Sequence, residues 1–132
     1  MQIHQSAEDY LETILKLNQR MGRVRSIDVV NELGYTKASV SIAMKKLREN
    51  GYIAVDGEGN LTLLEPGRAI AERIYSRHRL LTHFFVQLGV DEAIAAEDAC
   101  KAEHILSEQT LEKIREYALL HDAQDSVKPQ GE

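Results

Sequence analysis

Between Ser26 and Leu64 the hydrophobic pattern changes from a helical period to a strand period, and this change constrains the fold most. Ser26 to Leu33 carries Ile27, Val30 and Leu33 at helical spacing and stops at Gly34. Thr36 is a strong N-cap for a second helix, Lys37 to about Asn50, which Gly51 ends. In it Val40, Met44 and Leu47 form the stripe expected to be buried, while Lys37, Ser39, Ser41, Lys45, Lys46 and Arg48 occupy the other faces. The chain then reads as two short strands, Tyr52–Val55 and Leu61–Leu64, around the glycine-rich turn Asp56–Asn60. Two helices across a short glycine turn, followed directly by a hairpin, give the element order of a winged helix-turn-helix.

The flanking sequence is helical. Ser6 caps a helix with apolar residues Ala7, Leu11, Ile14, Leu15 and Leu17 that reaches about Gln19. After Glu65-Pro66-Gly67 the chain is helical to about Leu88; Asp91 caps a further helix to about Leu106, and Ser107 caps the last, to about Leu120. The expected fold is mainly α with a small β-hairpin. A winged helix-turn-helix domain spans 1–67, a helical domain 68–122 and a frayed polar tail 123–132.

Charge is divided along the chain. The net charge of −5 is unpromising for a nucleic-acid binder. From Ile14 to Asn50, however, eight basic residues stand against three acidic ones, whereas from Ala71 onward twelve acidic residues outnumber seven basic ones. One face thus suits a polyanion and another suits cations. The single cysteine, Cys100, excludes an internal disulfide and fits a reducing cytoplasm. No apolar run is long enough to span a membrane and the N-terminus reads as no secretory signal.

On the expected reading helix, Lys37, Ser39 and Ser41, with Thr36 at its cap, are candidates to meet DNA base edges. Lys45, Lys46 and Arg25 are candidates for phosphates. The acidic Asp56 and Glu58 make the hairpin tip a poor phosphate neighbour. A second set is distributed. Asp9 and Glu12 stand at i and i+3 of the first helix; Cys100, Glu103 and His104 stand at i, i+3 and i+4 of a later one, and His78 lies within the long helix. Carboxylate, imidazole and thiolate together are ligands for first-row divalent metals.

The segments Glu8-Asp9-Tyr10-Leu11-Glu12, Arg77-His78-Arg79-Leu80-Leu81 and Asp98 to Ser107 resemble the diphtheria-toxin-repressor family of iron- and manganese-responsive repressors. The resemblance runs from Ser6 to about Tyr117. It implies a cytoplasmic homodimer whose winged helices bind palindromic operator DNA, and whose later helices carry dimerisation and part of the metal site. Asp9, Glu12, His78, Glu103 and His104 match the manganese-responsive branch, which binds two ions. Cys100 matches the iron-responsive branch instead, while Thr82 and Ala96 replace that branch's ancillary ligands.

The expected function is a metal-dependent repressor, without enzymatic activity, that controls metal-uptake genes when loaded with Fe(II) or Mn(II), one or two ions per chain. Manganese(II) prefers oxygen donors, so the Cys100 thiolate biases the set toward iron(II). The alternative is a winged-helix regulator answering to an organic ligand or to oxidation of Cys100. An enzyme using Cys100 and His104 is disfavoured, because the sequence carries no nucleophile elbow and no glycine-rich phosphate loop.

Overall fold

The computed structural model describes residues 5–127. Six helices and one hairpin follow in the order α1 (Gln5–Met21), α2 (Ser26–Leu33), α3 (Lys37–Glu49), β1 (Ile53–Val55), β2 (Leu61–Leu63), α4 (Glu65–Gln87), α5 (Glu92–Ala102) and α6 (Glu108–Val127). They form two compact units that divide within α4, after Ile74.

The first unit is a winged helix-turn-helix. Gly34 ends α2 in the left-handed region at φ 73°, and Thr36 Oγ1 accepts from the Ser39 backbone N–H to start α3. α1 packs on both α2 and α3. Their shared core holds Leu11, Ile14 and Leu17 of α1, Val29 of α2, and Val40, Met44 and Leu47 of α3. The expected buried stripe of α3 is therefore present. That of α2 is corrected: Val29 is fully buried, whereas Ile27 is exposed and Val30 and Leu33 are half-buried. So short a helix buries the position that faces α1 and α3, and its own periodicity could not select it.

The hairpin pairs Ile53 with Leu63 and Val55 with Leu61, antiparallel. Ile53, Leu61 and Leu63 turn inward, and the Leu61 N–H donates to Val24 O. The first turns of α4 belong to this unit. Gly67 lies so close to the start of the wing that a Cβ there would stand 2.2 Å from Tyr52 O, so the helix seats against the hairpin only because that position is glycine.

The second unit packs the remainder of α4 with α5 and α6 around Leu81, Ala99 and Leu111, joined by Phe85, Leu106 and Ile114. Asp91 Oδ2 accepts from the Ala93 N–H and Ser107 Oγ from the Thr110 N–H, so both expected caps form. α5 stops at Ala102 rather than near Leu106, a correction that comes from packing. The residues after it turn so that Leu106 packs on the Leu81–Ala99–Leu111 core and Ser107 caps α6. α6 continues to Val127, into the segment 123–132 expected as a tail. Asp122, accepting from His83 and from Gln87, ties this part of α6 to α4. Residues 128–132 of that expected tail lie outside the described residues.

Candidate metal centre and DNA-reading surface

The turn that ends α5 carries the most unusual side chain in the second unit. Glu103 is 0% exposed, and burying a carboxylate is costly unless it is compensated. Its Oε2 lies 3.0 Å from His78 Nδ1, reached from α4. Cys100 Sγ, one turn back on α5, lies 3.8 Å from the same nitrogen. Glu103 Oε1 makes no hydrogen bond among the described residues, and His104 Nε2 is 3.4 Å from it. Glu103 keeps helical backbone angles (φ −59°, ψ −22°) although α5 has ended, so the i and i+3 relation to Cys100 persists. Two of the residues singled out in the sequence, His78 and His104, thus meet the buried Glu103 carboxylate, and Cys100 approaches it through His78.

Arg77 fixes this turn, and sequence reasoning missed it. Its guanidinium donates to Glu103 O at 3.2 Å and pairs with Glu108 in the first turn of α6. The one signal in the sequence was its place beside His78.

Asp9 and Glu12 belong to the first unit. Glu12 is 4% exposed with Oε2 3.3 Å from Lys16 Nζ, and Asp9 is half-buried. Between them Tyr10 packs edge-on against Tyr35, ring centroids 5.9 Å apart, just before the cap of α3. Burial, then the nearby Tyr35 and Asp9, raise the Tyr10 phenol above its ordinary value.

A divalent cation fits the donors present. Glu103 Oε1 is a buried acceptor without a donated hydrogen, and carboxylate, imidazole and thiolate are first-row metal ligands. The thiol of Cys100 is exposed in the single chain, not one of the buried residues.

The cations of the first unit divide into those with an ion-pair partner and those without one among the described residues. In the first unit Lys16, Arg20, Arg23, Arg68 and Arg73 each have an ion-pair partner, namely Glu12, Glu32, Glu58, Glu72 and Glu8. The other five, Arg25, Lys37, Lys45, Lys46 and Arg48, form no ion pair among the described residues and are all exposed. Four of them lie on α3 and the fifth precedes α2. Ser41 is exposed as expected of a base reader, whereas Thr36 and Ser39 bond to each other within the α3 cap. At the wing, Asp56 is satisfied internally: Oδ1 accepts from the Glu58 and Asn60 N–H groups and Oδ2 from Asn60 Nδ2.

Fold and side chains together define a winged-helix DNA-binding protein whose second unit carries a metal-ligand cluster. Residues 2–61 match the N-terminal DNA-binding domain of the iron-dependent repressors, and residues 64–123 match their metal-binding and dimerisation domain. An uncharacterised HTH-type transcriptional regulator of Methanocaldococcus jannaschii is 35% identical over 84% of this chain and 90% of its own. The HTH-type transcriptional regulator MntR of Lysinibacillus sphaericus is 32% identical over 93% of this chain and 89% of its own. A solved manganese-dependent transcriptional repressor in complex with manganese superposes with a TM-score of 0.78 at 28% identity over 85% of this chain. The chain spans about half the length of that structure, 52%.

The chain belongs to the diphtheria-toxin-repressor family of metal-dependent transcriptional repressors. Its DNA-binding and its metal-binding and dimerisation domains are both present. No helix among the described residues is long and apolar enough to cross a membrane.

Proposed function

We propose that this protein represses metal-uptake genes, binding a palindromic operator as a homodimer when loaded with Fe(II) or Mn(II). The observation that carries the reading is the buried Glu103 carboxylate, held by His78 on one oxygen and left without a hydrogen bond on the other. The proposed ligands are Asp9 and Glu12 with His78, Cys100, Glu103 and His104. A bound cation supplies the positive charge that this buried carboxylate lacks. His78 orients Glu103, Arg77 holds the main chain of its turn, and the Cys100 thiolate offers a soft donor that favours iron(II) over manganese(II).

The DNA contacts proposed are Lys37, Ser39 and Ser41 with Thr36 toward bases, and Arg25, Lys45 and Lys46 toward phosphates. A dimer presents two such helices about 34 Å apart, one turn of DNA. The protein acts in the cytoplasm, where its operator is, and performs no catalysis. An organic-ligand regulator would need an apolar pocket. The cleft of about 740 Å³ beside the wing is instead lined by Arg23, Asp56, Glu58, Asn60 and Arg68 among others, so it does not favour that reading.

A mobility-shift titration with each metal under anaerobic conditions, with a chelator control, tests the proposal. Operator binding is expected to appear with metal and vanish with chelator. Iron(II) should act at least as readily as manganese(II). Binding that ignores chelator overturns the metal switch, and a manganese response with none to iron overturns the role given to Cys100.

A further inference from the structure

The N-terminal half of the solvent face of α3 has an apolar centre, with the exposed Glu49 on the same line at the C-terminal end of the helix. Taking about 100° per residue, Ile42 lies about 200° round from the buried Val40 and Ala38 about 160° from it, both directly opposite the core stripe. Ile42 is 58% exposed and Ala38 is exposed with it, one turn apart. Single exposed apolar residues are ordinary on protein surfaces. The surroundings distinguish this one. Lys45 flanks the pair on one side and Lys46 on the other, and neither has an ion-pair partner among the described residues. A polyanion drawn to these lysines is brought down onto the apolar ridge between them.

The exposed polar side chains beside this ridge include Ser39, Ser41, Lys45, Lys46 and Glu49. The Ser39 hydroxyl is engaged by Thr36 in the helix cap. Ile42 itself has no hydrogen-bonding group, so it cannot read a donor or acceptor pattern. The one apolar feature that base edges present in the major groove is the C5-methyl of thymine.

We infer that Ile42, with Ala38 beside it, is a specificity-determining residue that packs on a thymine C5-methyl in the major groove. The inference deepens the operator-binding reading above and rests on it. A β-branched side chain is stiff in a helix, so it presents a fixed apolar surface with little rotamer freedom to lose on contact. Selectivity is then for a methyl group at one position of each half-site, with the flanking lysines holding the phosphates on either side.

The test uses the full chain loaded with manganese(II). Duplexes are first selected from a random-sequence library, and then each thymine of the selected site is replaced in turn by deoxyuridine, which removes only the methyl. For the wild type, one position per half-site is expected to lose about fourfold in affinity, the worth of one buried methyl group. Ile42→Ala, a change at an exposed helix position, should fold normally and show no loss at that same replacement. If a sequence is selected but every uridine replacement is neutral, or if Ile42→Ala retains the same sensitivity, the assignment to Ile42 is overturned. If the loaded protein selects no sequence at all, the operator-binding reading fails and this inference fails with it.

Discussion

His78 Nδ1 and Glu103 Oε2 lie 3.0 Å apart, joining the middle of α4 to the turn that closes α5. The pair is the anchor of the candidate metal centre, since Glu103 is fully buried and its other oxygen accepts no hydrogen bond among the described residues. An acceptor of this kind stores a desolvation cost that a cation relieves.

Glu103→Gln isolates that charge. The amide has nearly the same volume and can still bond His78, so the metal-free protein should melt close to wild type. Metal-induced stabilisation should disappear. At a metal concentration a hundredfold above Kd a single site adds about 2.7 kcal/mol to the wild type, readily seen as a rise in melting temperature. A variant that keeps the full rise would remove Glu103 from the ligand set.

Arg77 donates to Glu103 O and pairs with Glu108, holding the turn from both sides. Partners of this kind orient ligands, and their loss typically weakens metal affinity about 10-fold or more. Arg77→Ala should therefore raise the metal concentration needed for half-saturation by about tenfold, measured by calorimetric titration, with the ratio of iron(II) to manganese(II) affinity unchanged. Arg77→Lys, which retains the charge but not the forked geometry, should recover only part. A change in metal preference would mean that Arg77 acts on the donors themselves.

These assignments differ in how far the sequence carried them. Thr36, Asp91 and Ser107 were legible as caps because a side-chain oxygen bonding its own helix is local chemistry, and so was the hairpin between Gly51 and Glu65, whereas Ser6, expected as a cap, lies inside α1, which already includes Gln5. The end of α5 was not. No glycine or proline marks it, and Leu106 turns away because a core built from α4 and α6 receives it. The burial of Val29 in place of Ile27 has the same origin, as does the role of Arg77, whose partners come from two other elements. The proposed ligand residues are legible through family resemblance more than through periodicity. Ile42 was passed over because a residue's exposure depends on which face its neighbours cover.

The division of cations into paired and unpaired sets makes a quantitative prediction. Lys45 and Lys46 are exposed and form no ion pair among the described residues, whereas Arg20 is engaged by Glu32 at 2.9 Å. Lys45→Ala and Lys46→Ala should each lower operator affinity and reduce the slope of log affinity against log salt by about one. Arg20→Ala should leave that slope unchanged. The slopes come from binding isotherms at four or five salt concentrations. A slope unaffected at both lysines would move the phosphate contacts elsewhere on the unit.

Asp56 supplies the pH-dependent case. The Asn60 N–H and side-chain amide hold its carboxyl below the ordinary value of 3.8, outweighing the opposing effect of desolvation, with lesser help from the Glu58 N–H and the Arg23 charge. A folded pKa below the unfolded one means that the charged form stabilises the native state. The contribution is therefore fully present above about pH 4 and is lost as pH falls through the depressed value. Asp56→Ala removes the acceptor for three donors at the wing tip, so amide exchange at Glu58 and Asn60 should accelerate at neutral pH. The stability difference from wild type should shrink as pH is lowered into the acid range. Because those donors occupy the Asp56 oxygens in the native wing, the carboxylate shapes the turn, and its acidity near DNA is a secondary consequence. Operator affinity in Asp56→Ala should then fall through loss of wing order. If affinity rises instead, electrostatic repulsion of phosphate outweighs the structural role.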